Sequence, residues 1–104
     1  MITAEFFTKQ SKPCGFLIKG HAGYADNGND IVCASVSSAI QLVANTITEV
    51  LKIRAEVKVL KDKIQLKLPN LDVNAVNILE GLLLHLAVLS EDYEGTIKIT
   101  TSEV

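Results

Sequence analysis

The chain opens with the stretch ITAEFFTKQSKPCGFLIK, residues 2–19, and this stretch decides the kind of fold. Apolar and polar residues alternate through residues 2–9, which places Ile2, Ala4 and Phe6 on one face of an extended chain. After the turn signal QSKP, the alternation resumes through CGFLIK. Successive side chains of a strand point to opposite faces, so this pattern predicts a β-hairpin with one buried face.

Beyond this hairpin, the spacing of apolar residues changes from every second position to every third or fourth, and then returns to every second. Apolar residues recur every three or four positions at Val36, Ile40, Val43, Ile47 and Val50, which predicts an amphipathic helix. The segment RAEVKVLKDKIQLKLPN then alternates again on both sides of KDK and predicts a second hairpin. In that hairpin, Lys58, Gln65 and Lys67 are expected to face water. The other face is apolar and pairs across the turn: Ala55, Val57 and Val59 with Ile64, Leu66 and Leu68.

A second helix and a last strand complete the chain. The helix is expected to begin near Asn70 or Asp72 and to end near the segment SEDYEG, and TIKITTSEV follows as a strand. The predicted order is ββαββαβ, without repeats or linkers. We therefore expect one domain over residues 1–104, with the α+β class of fold: a mostly antiparallel sheet packed against two helices.

The composition excludes several classes of function. Ten basic and twelve acidic residues give a formal charge of −2, so the concentrated basic face of a nucleic-acid-binding protein is not expected. The N-terminal segment has no apolar signal-peptide core, and the longest apolar run, GLLLHLAVL, is too short to span a bilayer. The expected location is the cytoplasm, where Cys14 and Cys33 are thiols.

The second helix is apolar almost all round, since Ile78, Leu84 and Val88 lie outside its main apolar stripe. A helix of this kind is buried on two sides. Either a second copy covers it in a homodimer, which we favour, or the helix is tucked wholly under the sheet.

The segment GHAGYADNGNDIVCASVS, residues 20–37, is unlike the rest of the chain because it gathers a histidine, a cysteine and several acids and amides. We expect a loop that ends in a helix beginning at Asp30, whose carboxylate caps the first turn. Cys33 would then lie in that turn, where free N–H groups favour a thiolate and can bind a developing oxyanion.

His21 ends the second predicted strand and precedes Cys33 by twelve residues. An imidazole that reaches the sulfur would act as a general base and then protonate the leaving amine. Asp30 is the nearest acid able to orient that imidazole, and Ser37 lies one turn beyond Cys33 on the same helix face.

Structural roles compete with this interpretation. Cys33 also lies on the apolar stripe of the helix, and a lone cysteine is often only a small buried side chain. A metal site built from His21, Asp26, Asp30 and Cys33 is the weaker alternative, because their spacing matches no zinc signature. Cys14 and His85 are expected to be structural.

The same segment resembles the defining motif of the ribosomal-processing cysteine protease Prp family, in which Gly-His-Ala-Gly precedes Asp-Ile-Val-Cys-Ala by about a dozen residues. The resemblance extends over essentially the whole chain. It implies a homodimeric bacterial endopeptidase, and we expect no cofactor or metal. Its peptide substrate would be the N-terminal extension of a large-subunit ribosomal protein, protein twenty-seven, cleaved after a phenylalanine.

The resemblance also assigns roles to residues. It implies that His21 and Cys33 are catalytic. It implies that three residues support them, namely Gly20, Asp30 and Ser37. It also implies a substrate-binding loop formed by Ala22, Gly23 and Tyr24. The rival hypothesis is a non-catalytic dimeric binding or ribosome-assembly module in which the histidine and the cysteine are structural.

Overall fold

A computed structural model describes residues 1–20 and 27–104, with the backbone alone for residues 27–30. Within this part of the chain, five strands and two helices follow the predicted order. The strands are β1 (Ile2–Lys9), β2 (Lys12–Lys19), β3 (Glu56–Val59), β4 (Lys63–Lys67) and β5 (Ile97–Glu103). The helices are α1 (Asn27–Asn45), which continues in a π-helical turn (Thr46–Val50), and α2 (Val73–Asp92).

The strands form one sheet in the order β3-β4-β2-β1-β5. All neighbours are antiparallel except β1 and β5, which run parallel. Both predicted hairpins are present, and the first turns at Gln10 and Ser11, which have φ values of 55° and 65°. Positive φ at both central residues is typical of the two-residue turn that matches the twist of a hairpin. The predicted α+β class is confirmed.

One face of the sheet and both helices enclose the core. The apolar face predicted for the first hairpin is buried, with Ala4, Phe6 and Phe16 fully inaccessible. The helix α2 begins at Val73, and Asp72 before it is the N-cap, whose carboxylate accepts hydrogen bonds from the N–H groups of Asn74 and Ala75. This N-cap is one of the two starts that the sequence predicted.

Part of the predicted pattern of the first helix is wrong. Val36, Ile40, Val43 and Ile47 are buried, but Val50 is 72% exposed. The π-helical turn is the reason: the N–H of Leu51 bonds to the carbonyl of Thr46, five residues back, so the helix turns more slowly there and Val50 leaves the core stripe.

The predicted apolar face of the second hairpin is also only partly buried. Val57 pairs with Leu66 and Val59 with Ile64, as the sequence indicated. However, Val57 and Val59 are 40% and 73% exposed. The helices cover the centre of the sheet and stop short of its β3 edge, so this part of the face is open to solvent.

In the described part of the chain, two helical stretches, Ile31–Val50 and Val73–Asp92, are long and apolar enough to cross a membrane by length and composition alone. The longest apolar run, GLLLHLAVL, is interrupted by His85 and was too short to indicate such a segment. Core helices of folded domains meet the same criterion, and here both stretches bury apolar residues against the sheet. We interpret them as core helices.

Candidate active site

Cys33 lies on α1, near the end of the sheet where β1 begins and β2 ends. Its side chain is half-buried and packs against the core, which agrees with the apolar stripe seen in the sequence. The same side chain also lines an open groove of about 250 Å³. A small buried side chain would have no such access, so the position suits a thiol that meets a substrate.

The groove separates α1 from the end of the sheet. Ile2 and Ile18 lie on its sheet side, and Val36 and Ile40 lie on its helix side. Ser37, predicted to share a helix face with Cys33, lines the same groove and is exposed.

The opposite wall of the groove is the turn between β3 and β4. Leu60, Lys61 and Asp62 line it there, and Val59 and Ile64 continue the wall along the two strands. Sequence reasoning missed all of these residues as parts of the site. Only the sheet order β3-β4-β2, which local periodicity does not reveal, brings this turn beside the end of β2.

Gly20 directly follows β2 at the edge of the groove, and a hydrogen bond and a close contact fix its backbone. Its N–H donates to the carbonyl of Asp62 at 3.1 Å. Its φ of +93° lies in the left-handed region, and an added Cβ would be 2.5 Å from the carbonyl oxygen of Met1. Only glycine fits here without strain, which gives a physical reason for the predicted supporting role.

The residue after Gly20 is His21, and it lies outside the described residues. So do Ala22, Gly23 and Tyr24 of the predicted substrate-binding loop. The distance between the imidazole and the sulfur therefore stays a prediction. What the structure does provide is that Cys33 and Gly20, the residue bonded to His21, line one groove.

The predicted helix start at Asp30 is wrong. The helix α1 begins at Asn27, so the Asn27–Gly28 pair, expected in the loop, belongs to the helix. Cys33 is therefore the seventh helical residue and lies about 9 Å along the axis from the first. Free N–H groups and the helix dipole act within the first turn, so they cannot activate Cys33 or form an oxyanion hole beside it as predicted.

Asp30 itself is the fourth residue of α1, about one turn before Cys33. It does not cap the helix, and its predicted role in orienting His21 stays a prediction because its side chain lies outside the described atoms. Among the described side chains no group of three metal-binding residues occurs. Three members of the alternative metal set, His21, Asp26 and Asp30, are not among those side chains.

Cys14 differs from Cys33 in its surroundings, as the sequence suggested. It lies in β2, is only 9% exposed and contributes to the interior. Burial raises the pKa of its thiol above the ordinary value of 9.0, because a thiolate there would lose its hydration. This cysteine is a poor nucleophile at neutral pH. His85 is exposed and lies away from the groove of Cys33, between the outer faces of α1 and α2.

A cysteine that lines an open groove can meet a substrate, and the comparison with family models gives the class of protein, a cysteine protease. The model of the cysteine protease Prp family matches residues 1–98. The chain belongs to the Prp family of cysteine proteases, as its motif suggested.

Solved structures share the whole fold. Two are of the essential ribosomal-processing protease Prp from Staphylococcus aureus, one with a covalently linked product peptide and one with a substrate peptide. Each is 24% identical over 98% of this chain and 100% of its own, with TM-scores of 0.87 and 0.84. A Streptococcus mutans protein is 22% identical over 100% of this chain and 96% of its own, with a TM-score of 0.88. A search of curated proteins finds no significant match.

Proposed function

We propose that this protein is an endopeptidase that removes the N-terminal extension of large-subunit ribosomal protein twenty-seven, with Cys33 as nucleophile and His21 as general base. The observation that carries the proposal is that Cys33 and Gly20 line one open groove. Because His21 is bonded to Gly20, the strand end that Asp62 holds in place leads directly to the histidine. Membership of a cysteine protease family supports a cysteine as the nucleophile.

The reaction follows from these two side chains. His21 takes the proton from the sulfur of Cys33, and the sulfur attacks the scissile carbonyl carbon. The tetrahedral intermediate collapses as His21 gives the proton to the departing amine, which leaves a thioester on Cys33. A water molecule, activated by His21, then hydrolyses the thioester and restores the thiol.

The start of α1 at Asn27 changes what must activate the sulfur. With the helix end about 9 Å from Cys33 along the axis, the histidine has to supply most of the activation. Asp30 is proposed to orient His21, and Ser37, which lines the groove one turn beyond Cys33, to bond within the site. Ala22, Gly23 and Tyr24 are proposed to contact the substrate.

The substrate is a peptide, and the partner of the enzyme is another copy of itself. The Staphylococcus aureus relative has been solved with a substrate peptide, which supports a peptide as the substrate of this chain. We place the reaction in the cytoplasm, where ribosomal proteins mature. The non-catalytic binding module is set aside because the matched family consists of proteases.

The test is incubation of the purified protein with the extended ribosomal protein under reducing conditions, with the products weighed by mass spectrometry. We expect one new N-terminus directly after a phenylalanine, and no cut when that phenylalanine is replaced by serine. The variant His21→Ala should lose nearly all activity, by about 10⁴-fold or more, as for other members of a catalytic pair. Absence of any cut by the unaltered protein would overturn the proposal.

A further inference from the structure

One row of side chains crosses the sheet on the face that carries the helices. Cross-strand pairing places Val59 of β3 beside Ile64 of β4, and Ile64 beside Ile18 of β2. Directly paired residues point to the same face of a sheet. Ile18 is 4% exposed and belongs to the core, so Val59 is on the core-facing side although it lies at the edge strand.

Solvent exposure rises steeply along this row. Ile18 is buried, Ile64 is half-buried and Val59 is 73% exposed. Leu60, the next residue, is 54% exposed. The apolar face of the sheet therefore continues past the cover of α1 and ends in an open apolar surface, which we call the hairpin surface and define as Val59 and Leu60.

The hairpin surface is continuous with the candidate active site. Val59, Leu60 and Cys33 line the same groove. Neighbouring strands are about 4.8 Å apart, so β3 lies about 10 Å from β2, where Ile18 adjoins the groove beside Cys33. An extended peptide advances about 3.4 Å per residue, so a substrate held at Cys33 covers that distance within a few residues.

We propose that the hairpin surface is a specificity subsite, which binds one apolar side chain of the substrate a few residues from the bond that Cys33 attacks. The inference rests on the proposed function, because it takes the groove of Cys33 as the place where the peptide binds. An apolar substrate side chain is favoured here because its contact with Val59 would bury the apolar surface of both side chains. The continuity with the groove identifies that occupant as the substrate rather than another protein.

The test measures kcat/KM for a synthetic peptide that spans the cleavage segment of the extended ribosomal protein. A companion set of peptides replaces each apolar residue in turn by serine. The variant Val59→Thr keeps the branched shape of the side chain and lowers only its apolar character, and Val59 is too exposed for this change to disturb folding. The matched control is Val73→Thr: Val73 is 70% exposed at the start of α2, and it does not line the groove.

We expect Val59→Thr to lower kcat/KM about tenfold, mainly through KM. We expect one of the serine peptides to be cleaved poorly by the unaltered enzyme. For that peptide, Val59→Thr should lower kcat/KM little further, since the serine in the peptide and the threonine in the enzyme remove the same contact. Alkylation of Cys33 by iodoacetamide should proceed at the unaltered rate, and Val73→Thr should behave like the unaltered protein.

If the unaltered enzyme cleaves the peptide and Val59→Thr cleaves it equally well, the subsite is wrong and the proposed function stands. The same conclusion follows if no peptide position couples to Val59. If the unaltered enzyme cleaves none of the peptides, the proposed function fails and the subsite fails with it.

Discussion

At the scale of single residues, the two cysteines show how surroundings set chemistry. The sequence could indicate that Cys33 begins a helical stripe and that Cys14 belongs to a strand, because both patterns are local. It could not show that Cys33 also reaches a groove, since the far wall is formed by residues about 25 to 30 positions later in the chain. Access to a thiol depends on tertiary packing, which a periodic pattern does not contain.

The first prediction compares these two thiols. Near neutral pH, iodoacetamide should modify Cys33 faster than Cys14, because Cys14 is buried and its pKa is raised. Peptide mapping by mass spectrometry at successive times measures both rates. In denaturant the rates should become similar, which provides the control. Equal rates in the folded protein would contradict the assignment of Cys33 as the accessible thiol.

Gly20 gives the second prediction. The change Gly20→Ala should lower the free energy of unfolding by about 1–3 kcal/mol, because the left-handed backbone and the close Met1 carbonyl both oppose a Cβ. It should also lower kcat/KM, since a shift of the backbone at residue 20 would also shift His21, the next residue.

Urea unfolding and the cleavage assay measure the two effects. The control is Gly81→Ala in α2, where a Cβ meets no atom within 4 Å outside the backbone of its own helix. That change should stabilise the protein by about 0.5–1 kcal/mol. A Gly20→Ala variant with unaltered stability and activity would show that this backbone geometry is not required.

At the scale of elements, both hairpins and the start of α2 could be predicted, whereas the start of α1 could not. The segment ADNGND contains several residues that can cap a helix, so local sequence does not choose between them. Asn-Gly is a strong turn signal, and here it belongs to the helix. The π-helical turn escaped prediction as well: the hydroxyl groups of Thr46 and Thr48 bond to carbonyls four residues back, which alters the regular helix at its end.

The third prediction concerns the start of α2. Replacing Asp72 by alanine should lower the free energy of unfolding by about 1 kcal/mol, because two backbone N–H groups lose their acceptor. Asparagine at this position can still accept a hydrogen bond and should restore most of the loss. Urea unfolding of both variants measures the difference. Equal destabilisation by alanine and asparagine would show that capping is not the cause.

At the scale of the whole molecule, the order of the strands determines which residues line the groove of Cys33, and the packing of the helices determines which apolar residues stay exposed. Local patterns predicted the class of fold, but the order β3-β4-β2-β1-β5 rests on long-range pairing, so the β3–β4 wall of the groove remained hidden. The structure excludes the alternative that α2 is tucked wholly under the sheet, since Leu84 is 67% and Val88 is 48% exposed.

These residues support the proposed homodimer, which gives the fourth prediction. Leu84 and Val88 extend the outer face of α2, and beside it a groove of about 780 Å³ separates this helix from Leu42 of α1. An apolar surface of this kind favours a self-complementary contact. The unaltered protein should sediment as a dimer.

The variant Leu84→Lys should sediment largely as a monomer, because a second copy would have to bury the charge. The matched control is Val73→Lys, which adds the same charge at an equally exposed position of the same helix and should leave the dimer intact. A monomeric unaltered protein, or a dimer that withstands Leu84→Lys, would contradict an interface on this face.

The central claim is that Cys33 is the nucleophile of a protease, and the most direct test is the rate of cleavage of the extended ribosomal protein by two cysteine variants. The account predicts that Cys33→Ala lowers kcat/KM by at least about 10⁴-fold. It also predicts that Cys14→Ala, which removes the buried thiol, leaves most of the activity. Cleavage by Cys33→Ala at a rate close to that of the unaltered protein would contradict the account.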